Sequence, residues 1–516
     1  METKDTIVLI SIATVLYLFF YLKKCYEFFD RYNIPYTKPN WIFGNMTGAV
    51  FMKKRVFMAY ADLYRQLDGY KFAGFFTMQK PSVLIRDPEL IKDVLIKEFG
   101  SFQDRGITVN EEVEPITNHL FSIRGEEWKT LRTKLSGAFS SGKIKTMFPR
   151  MKKLGEKLQT VLLDVANGRD FDAEDLCERF TTDVIGSCIF GIDINSLDHP
   201  ESEFRLIGKR VASFRWQRAI RSLWPGIPNR LIKLFKITLF EEQCQTFFTK
   251  MVEDTTKYLQ QNGVSRSDFF DLLMSLKNTS SSSSSVNEKS QKKLDITIDM
   301  MAAQYFFFFT TGSRSPATAI SCALFELARH ENTQNKMREE IRTVLKENDD
   351  QLTYDVLNKM TYVDMVIAET FRKYPTMGML LRRCKQNYRV PDTDAIISNN
   401  TPAIISIVGL HNDEKYFEKP NDFYPEHFTE VAKSKRPQHA YLPFGEGPRA
   451  CIAKHFAKLE VKIGLIFMVR NYSYKVSLKQ KLPFKLQSNF GFAVENGVWL
   501  KCEKVPVIKN KNTSMV

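Results

Sequence analysis

The chain has 516 residues, 43% hydrophobic and 26% charged, enough to bury one large core or to divide into two or three domains. Its net charge of +15 favours an anionic lipid surface or an acidic protein partner. No compact basic–aromatic motif is present to read nucleic acid, so no nucleic-acid partner is expected. Eight scattered cysteines (Cys25, Cys177, Cys188, Cys244, Cys322, Cys384, Cys451, Cys502) form no CxxC pair, which argues against a zinc site and a disulfide scaffold and fits a reducing, cytosol-facing compartment. The 41 phenylalanines predict a core or ligand cavity lined by rings.

From Thr6 to Leu22 the sequence TIVLISIATVLYLFFYL carries no charge, and Lys23 and Lys24 follow at once. Basic residues after the apolar run, and no small-residue cleavage site, predict a retained membrane anchor that holds the downstream chain in the cytosol. No second stretch of that length lacks charges. Residues 1–25 are read as the anchor and residues 26–45 as a stiff connector carrying Pro35 and Pro39. Residues 46–505 are read as one large domain and residues 506–516 as a tail.

Gly69 to Leu90 alternates and ends in turn signals, predicting a hairpin. Helical patterns run from Trp128 to Gly137, Met151 to Ala166, Glu174 to Phe190 and Leu231 to Gln261. Ser280 to Ser285 predict a polar loop. A long apolar helix is expected from about Ile296 to Ile341, broken in the middle by TTGSRSP. Another helix stops before Pro375, short strands run to about Val408, and a proline-rich stretch leads to FGEGPRACIAKHFAKLE, from Phe444 to Glu460. The fold class expected is mainly α with small β-sheets.

In that last segment a single thiol sits between a glycine-rich turn and the start of a helix. Unpaired helix N–H groups and the helix dipole stabilise a thiolate there, and glycines let backbone approach a flat ligand. The spacing F-x-x-G-x-R-x-C, met by Phe444, Gly447, Arg449 and Cys451, resembles the haem-binding loop of cytochromes P450. The resemblance implies the cytochrome P450 fold, haem b with Cys451 as the thiolate ligand of iron, and the chemistry that such ligation favours. Ala453 stands where the family usually has glycine.

Other segments carry the same resemblance. Trp128 and Arg132, four apart in GEEWKTLRTKL, match the family's W-x-x-x-R, which holds a haem propionate. Arg382 falls where another propionate-binding arginine is expected, with Arg383 adjacent as the alternative; Arg449 makes a third cation for two carboxylates. Glu369 and Arg372 in AETFRKYP match the structural E-x-x-R pair, expected buried and tied to the segment before the cysteine loop. The family's P-E-R-F arginine is replaced here by His427, expected to be a neutral hydrogen-bonding substitute with some loss of stability. Against the pattern [A/G]-G-x-[D/E]-T, where a helix unwinds to admit dioxygen, the chain gives Thr311, Gly312, Ser313, Arg314 and Ser315. Gly312 would keep the gap, Pro316 would reinforce the kink, Ser315 keeps a hydroxyl, and Arg314 reverses the sign at the proton-delivery position.

HLFSIRGEEWKTLRTKLSGAFSSGKIKTMFP and YLPFGEGPRACI read like the microsomal, insect-type detoxification group. That likeness implies a monooxygenase of the endoplasmic reticulum membrane acting on lipophilic small molecules, xenobiotic or endogenous. NADPH–cytochrome P450 reductase would supply electrons, cytochrome b5 being a further donor, and Lys129, Lys454 and Lys458 would form the docking footprint. The substrate pocket is expected to draw on residues 102–120, 213–235, 306–309, 376–381 and 488–492. The altered acid also admits a haem-thiolate isomerase or dehydratase that needs no reductase, or a haem protein that only sequesters ligand.

Overall fold

The computed structural model describes residues 3–107, 109–212, 229–262, 269–282, 296–484, 486 and 491–506. The helices of ten or more residues are α1 Thr3–Tyr26, α2 Val56–Gln66, α3 Gly125–Ser136, α4 Ser141–Val165, α5 Ala173–Ile185, α6 Glu203–Ala212, α7 Glu242–Asn262, α8 Phe269–Ser282, α9 Ile298–Arg329, α10 Glu331–Lys346, α11 Thr361–Lys373 and α12 Lys454–Val469. The longer strands are β1 Phe72–Thr77, β2 Lys80–Ile85, β3 Asn167–Asp172, β4 Met379–Arg383, β5 Pro402–Ser406, β6 Tyr472–Val476 and β7 Trp499–Lys504.

At its 24 residues α1 is about 36 Å long, enough to cross a hydrocarbon core of about 30 Å. Its Ile10, Tyr17 and Phe20 are exposed, and the Ser11 and Thr14 hydroxyls return to the carbonyls of Ile7 and Ile10. A helix that is apolar all round and meets the rest of the protein only near its C-terminal end, where Phe19 and Tyr26 touch Trp41 and Phe76, suits lipid. The connector that follows is less extended than its prolines suggest. It opens with a short helix, Phe28–Arg31, and then rides along β1 through the bridges Tyr36 to Gly74 and Gly44 to Thr77.

Two cores make up the rest. One surrounds a four-stranded sheet in the order β1-β2-β5-β4, where β1 and β2 form the expected hairpin. The larger is helical, built around α9 with α5, α4 and α12, and a three-stranded sheet β3-β7-β6 closes one side. Gly155 and Gly464 allow close packing here, since a Cβ on them would collide with Phe467 and Ile320. This mostly helical architecture with small sheets is the fold class the sequence indicated.

Four helix boundaries differ from the sequence reading, the first being α4, which begins at Ser141 and not Met151. The long apolar helix does not break at TTGSRSP: α9 runs unbroken through it and ends at His330, where α10 begins. Pro316 removes a single backbone donor, and the packing of α9 on α5 outweighs that loss, with the Thr181 hydroxyl donating to the Ser313 carbonyl at 2.6 Å. The Leu231–Gln261 pattern divides into Asn229–Leu234 and α7, with Lys236 at a positive φ of 44° between them. Helix α8 extends to Ser282, so Ser280 to Ser282 continue a helix rather than a loop.

Candidate functional site

The cysteine loop is fixed by its own backbone. Gly445 and Gly447 have φ of +66° and +73°, and a Cβ at Gly447 would collide with the Leu95 carbonyl. Those turns bring the Cys451 N–H to the Phe444 carbonyl at 2.9 Å, while the Phe444 ring packs edge-on against Phe371 at 5.0 Å. Helix α12 starts three residues beyond the thiol. Cys451 is exposed, yet burial raises its thiol against the opposing pull of the Ala453 amide, Arg132, Arg105 and Lys454. A sulfur both accessible and crowded by protein faces an internal cavity.

Arg105, Arg132, Arg382 and Arg449 converge on that cavity, close enough that burial and mutual repulsion lower the Arg105 guanidinium. They fall into two classes. Arg449 is engaged throughout: it donates to the carbonyls of Gln103, Leu120 and Ile123, pairs with Asp104 at 3.4 Å and lies 3.9 Å over the Trp128 ring. Arg105 donates to the carbonyls of Phe121 and Arg449, both at 3.0 Å. In contrast, Arg132 makes no side-chain hydrogen bond or ion pair among the described residues, and the Trp128 indole N–H likewise has no acceptor there. Arg382 is 2% exposed, donates only to its neighbour Leu381, and leaves a buried Nε unpartnered. Burial lowers its guanidinium to about 10. Arg383 points the other way along β4, toward the Gly106 carbonyl. Two cations, half-buried Arg132 and buried Arg382, and the neutral Trp128 indole N–H leave donors unpartnered beside a thiol, which fits a flat dianionic ligand such as a porphyrin with two propionates. Arg449, expected to contact that ligand, is engaged by protein groups that brace the loop.

Helix α9 forms the opposite wall. The segment from Asn118 to Ile123 spans the gap, held by Gln304 of α9 through the Leu120 N–H and the Asn118 carbonyl, and by Arg449 and Arg105 on the cysteine side. Phe307 stacks on His119 at 4.7 Å and on Phe121 at 6.0 Å, and Thr311, one turn on, is exposed although α9 runs through the core. Phe306, Phe308 and Phe309 are instead buried against Phe240, Phe248, Phe139 and Phe204. Of the four adjacent rings, then, Phe307 is the one that lines the cavity and the others are core.

The three α9 residues singled out as catalytic have distinct surroundings. Gly312 faces α5: a Cβ there would meet Ile185 Cδ1 at 2.5 Å, so the glycine permits helix packing and not an unwound gap. Arg314 reaches Glu178 of α5 at 3.7 Å, and its charge opposes the burial that raises the Glu174 carboxyl to about 8. Ser315, one turn beyond Thr311, is half-buried. Of the pocket segments expected, residues 213–228 and 488–490 lie outside the described residues.

Below the cysteine loop, Glu369 and Arg372 are both fully buried and joined by two hydrogen bonds of 2.8 Å. Arg372 also donates to the carbonyls of His411 and Asp422, and the Tyr424 N–H donates to Glu369. Burial alone would raise the Glu369 carboxyl, but the hydrogen bonds from Arg372 and His427 hold it below the usual range. The His427 Nδ1 is 3.1 Å from Glu369 and its Nε2 is 2.6 Å from the Glu418 carbonyl. Both ring nitrogens thus have a polar partner inside the protein. The expected hydrogen-bonding substitute is therefore in place, bridging Glu369 and the Glu418 carbonyl. His411 carries the network upward by accepting from the Leu442 N–H at 2.9 Å, two residues before Phe444.

Asp104, Arg105 and His119 fall within the expected pocket segment 102–120, but no motif assigns any of them an individual role. They lie in an irregular segment with no periodicity, and only tertiary contact brings them to the cavity. Burial lowers His119 to about 3, which leaves it a neutral ring near neutral pH.

A family model for the cytochromes P450 matches residues 34–498. The chain belongs to the cytochrome P450 family. It is 36% identical to probable cytochrome P450 6a13 of Drosophila melanogaster over 96% of this chain and 99% of the relative. It is 33% identical to cytochrome P450 6k1 of Blattella germanica over 99% and 97%, and 33% identical to cytochrome P450 6a2 of Drosophila melanogaster over 96% and 99%. This cytochrome P450 is a monooxygenase of the insect-type group, with haem-thiolate iron as the family's cofactor. Its unsatisfied donors beside Cys451 suit that group.

Proposed function

We propose that this cytochrome P450 is anchored by α1 in the endoplasmic reticulum membrane with its haem domain, residues 46–505, in the cytosol, and inserts one oxygen atom of O2 into lipophilic organic substrates. Electrons come from NADPH through the P450 reductase, with cytochrome b5 as a further donor. The observation that carries this reading is the thiol of Cys451 opening on a cavity rimmed by unpartnered cations and walled by Phe307, Phe121 and His119.

Bound haem supplies the activation of dioxygen. Cys451 is its iron ligand, and the Ala453 N–H steadies the sulfur as an anion. Trp128, Arg132 and Arg382 hold the propionates, while Arg449 and Arg105 keep the loop and the Asn118–Ile123 segment at fixed separation, with Phe444 packed beneath. Stacked rings exclude water and orient flat apolar substrates. Because Arg314 is drawn toward Glu178, protons reach the cavity through water ordered by the Thr311 and Ser315 hydroxyls rather than from an acid on α9. Exposed Lys454 and Lys458 on α12, with Lys129 on α3, offer the reductase a basic face on the cysteine side.

The test is turnover of lipophilic substrates by the purified full chain with reductase and NADPH. Oxygenated product is expected, together with the thiolate-type ferrous–carbonyl spectrum, which Cys451→Ala removes. Turnover without NADPH would make the protein an isomerase, and binding with no turnover a ligand sink.

A further inference from the structure

A second cavity of about 640 Å³ borders the Asn118–Ile123 segment, and Cys451 is not part of its lining. Its lining includes Lys80 of β2, Arg124 at the start of α3 and Arg383 of β4. Among the described residues none of these three cations has a carboxylate within ion-pair distance, although the charge of Asp104 acts on Arg383 from beyond it. Glu111 and Glu127 share the lining without pairing to them. The cations also feel one another. Burial and then the charge of Arg383 lower the Lys80 amine, and burial and then the charge of Arg124 lower Arg383. The Nε of Arg383 is buried and unpartnered. Serine, threonine and asparagine side chains share the remaining wall with Phe28, Pro81, Val109, Ile123 and Pro402, so the site offers an anion donors beside apolar surface.

The position of the pocket narrows the choice of anion. Phe28 lines it, two residues beyond the end of α1, so its mouth lies at the depth where the anchor leaves the bilayer. Close by, Trp41 is half exposed and stacks on Phe19 of α1 at 5.3 Å, as aromatic residues do at a membrane interface. We infer that this pocket receives the phosphate of an anionic phospholipid headgroup, seated between Lys80, Arg124 and Arg383. The inference rests on the anchor reading proposed above. A bound headgroup would fix the tilt of the catalytic domain against the membrane and brace the Asn118–Ile123 segment from outside.

The experiment uses full-length holoprotein in nanodiscs of phosphatidylcholine alone or with phosphatidylserine, and reads the acetylation rate of Lys80 by mass spectrometry. Phosphatidylserine is expected to slow Lys80 by roughly fivefold or more, the factor for one basic residue at an anionic surface, while Lys454 on the cysteine side is unchanged. Arg383→Gln is expected to abolish the protection of Lys80 with the ferrous–carbonyl spectrum intact; Arg124→Gln, at an exposed position, is the second variant should the first not fold. Equal Lys80 rates in both discs overturn the proposal, as does protection that survives both variants. Equal protection by inorganic phosphate in phosphatidylcholine discs overturns the lipid as its source. Failure to enter discs of either composition overturns the anchor reading, and the headgroup site with it.

Discussion

Arg382→Gln is expected to act in opposite directions on the haem-free and haem-bound protein. With its side chain 2% exposed and its guanidinium lowered from 12.5 to about 10 by burial, the charge is held at a cost of about 3 kcal/mol, at ~1.4 kcal/mol per unit. Glutamine lifts most of that cost, so the haem-free protein keeps its stability or gains up to about 3 kcal/mol. In the haem-bound protein the same change strips a buried propionate of its partner, at about 3–5 kcal/mol, which weakens haem retention by at least ~100-fold. Two assays read the two arms: the rate of haem transfer to excess haem-free globin, and chemical unfolding with and without haem. Arg449→Gln is the control. Its carbonyl and Asp104 partners lose their donors whether or not haem is present, so both forms are expected to weaken. If Arg382→Gln destabilises the haem-free protein and leaves haem transfer unchanged, the arginine is part of the scaffold and the reasoning fails.

Three further outcomes are expected. Glu369→Gln leaves fully buried Arg372 without its counter-charge and is expected to cost about 3–5 kcal/mol in unfolding experiments; a loss under ~1 kcal/mol would contradict a shared, desolvated pair. Glu174 has its carboxyl raised to about 8, chiefly by burial, against 4.5 in the unfolded chain, so the folded protein holds an extra proton and loses stability as pH rises from 4.5 to 8. Glu174→Gln is expected to flatten that slope of about 1.4 kcal/mol per pH unit, and identical pH profiles for variant and parent would refute the assignment. Arg314→Glu removes the contact with Glu178 and sets like charges together, for a loss of about 1–2 kcal/mol, and is expected to lower hydrogen peroxide released per NADPH by restoring an acid to α9. Unchanged peroxide release would show that position 314 does not limit coupling.

What sequence alone determined was everything carried by short spacing. The loop from Phe444 to Cys451, the Trp128–Arg132 pair and the Glu369–Arg372 pair are each local, because a turn or one helical face sets the geometry and needs no distant residue. The apolar run of α1 is equally local, since length and composition alone fit it to a membrane span. Tertiary structure decided the rest. The sequence could name Arg382 and Arg449 as cations but not which was free, because four carbonyl and carboxylate partners of Arg449 come from residues 103–123. It marked Gly312 and Pro316 as a break, yet α9 stays helical because Ile185 and Thr181 of α5 pack against that stretch. It placed His427 where an arginine was expected, and only the fold shows its ring bridging Glu369 and the Glu418 carbonyl. Charge and hydrogen-bond capacity are written in the residue; whether either is spent depends on which neighbours folding brings within about 3 Å.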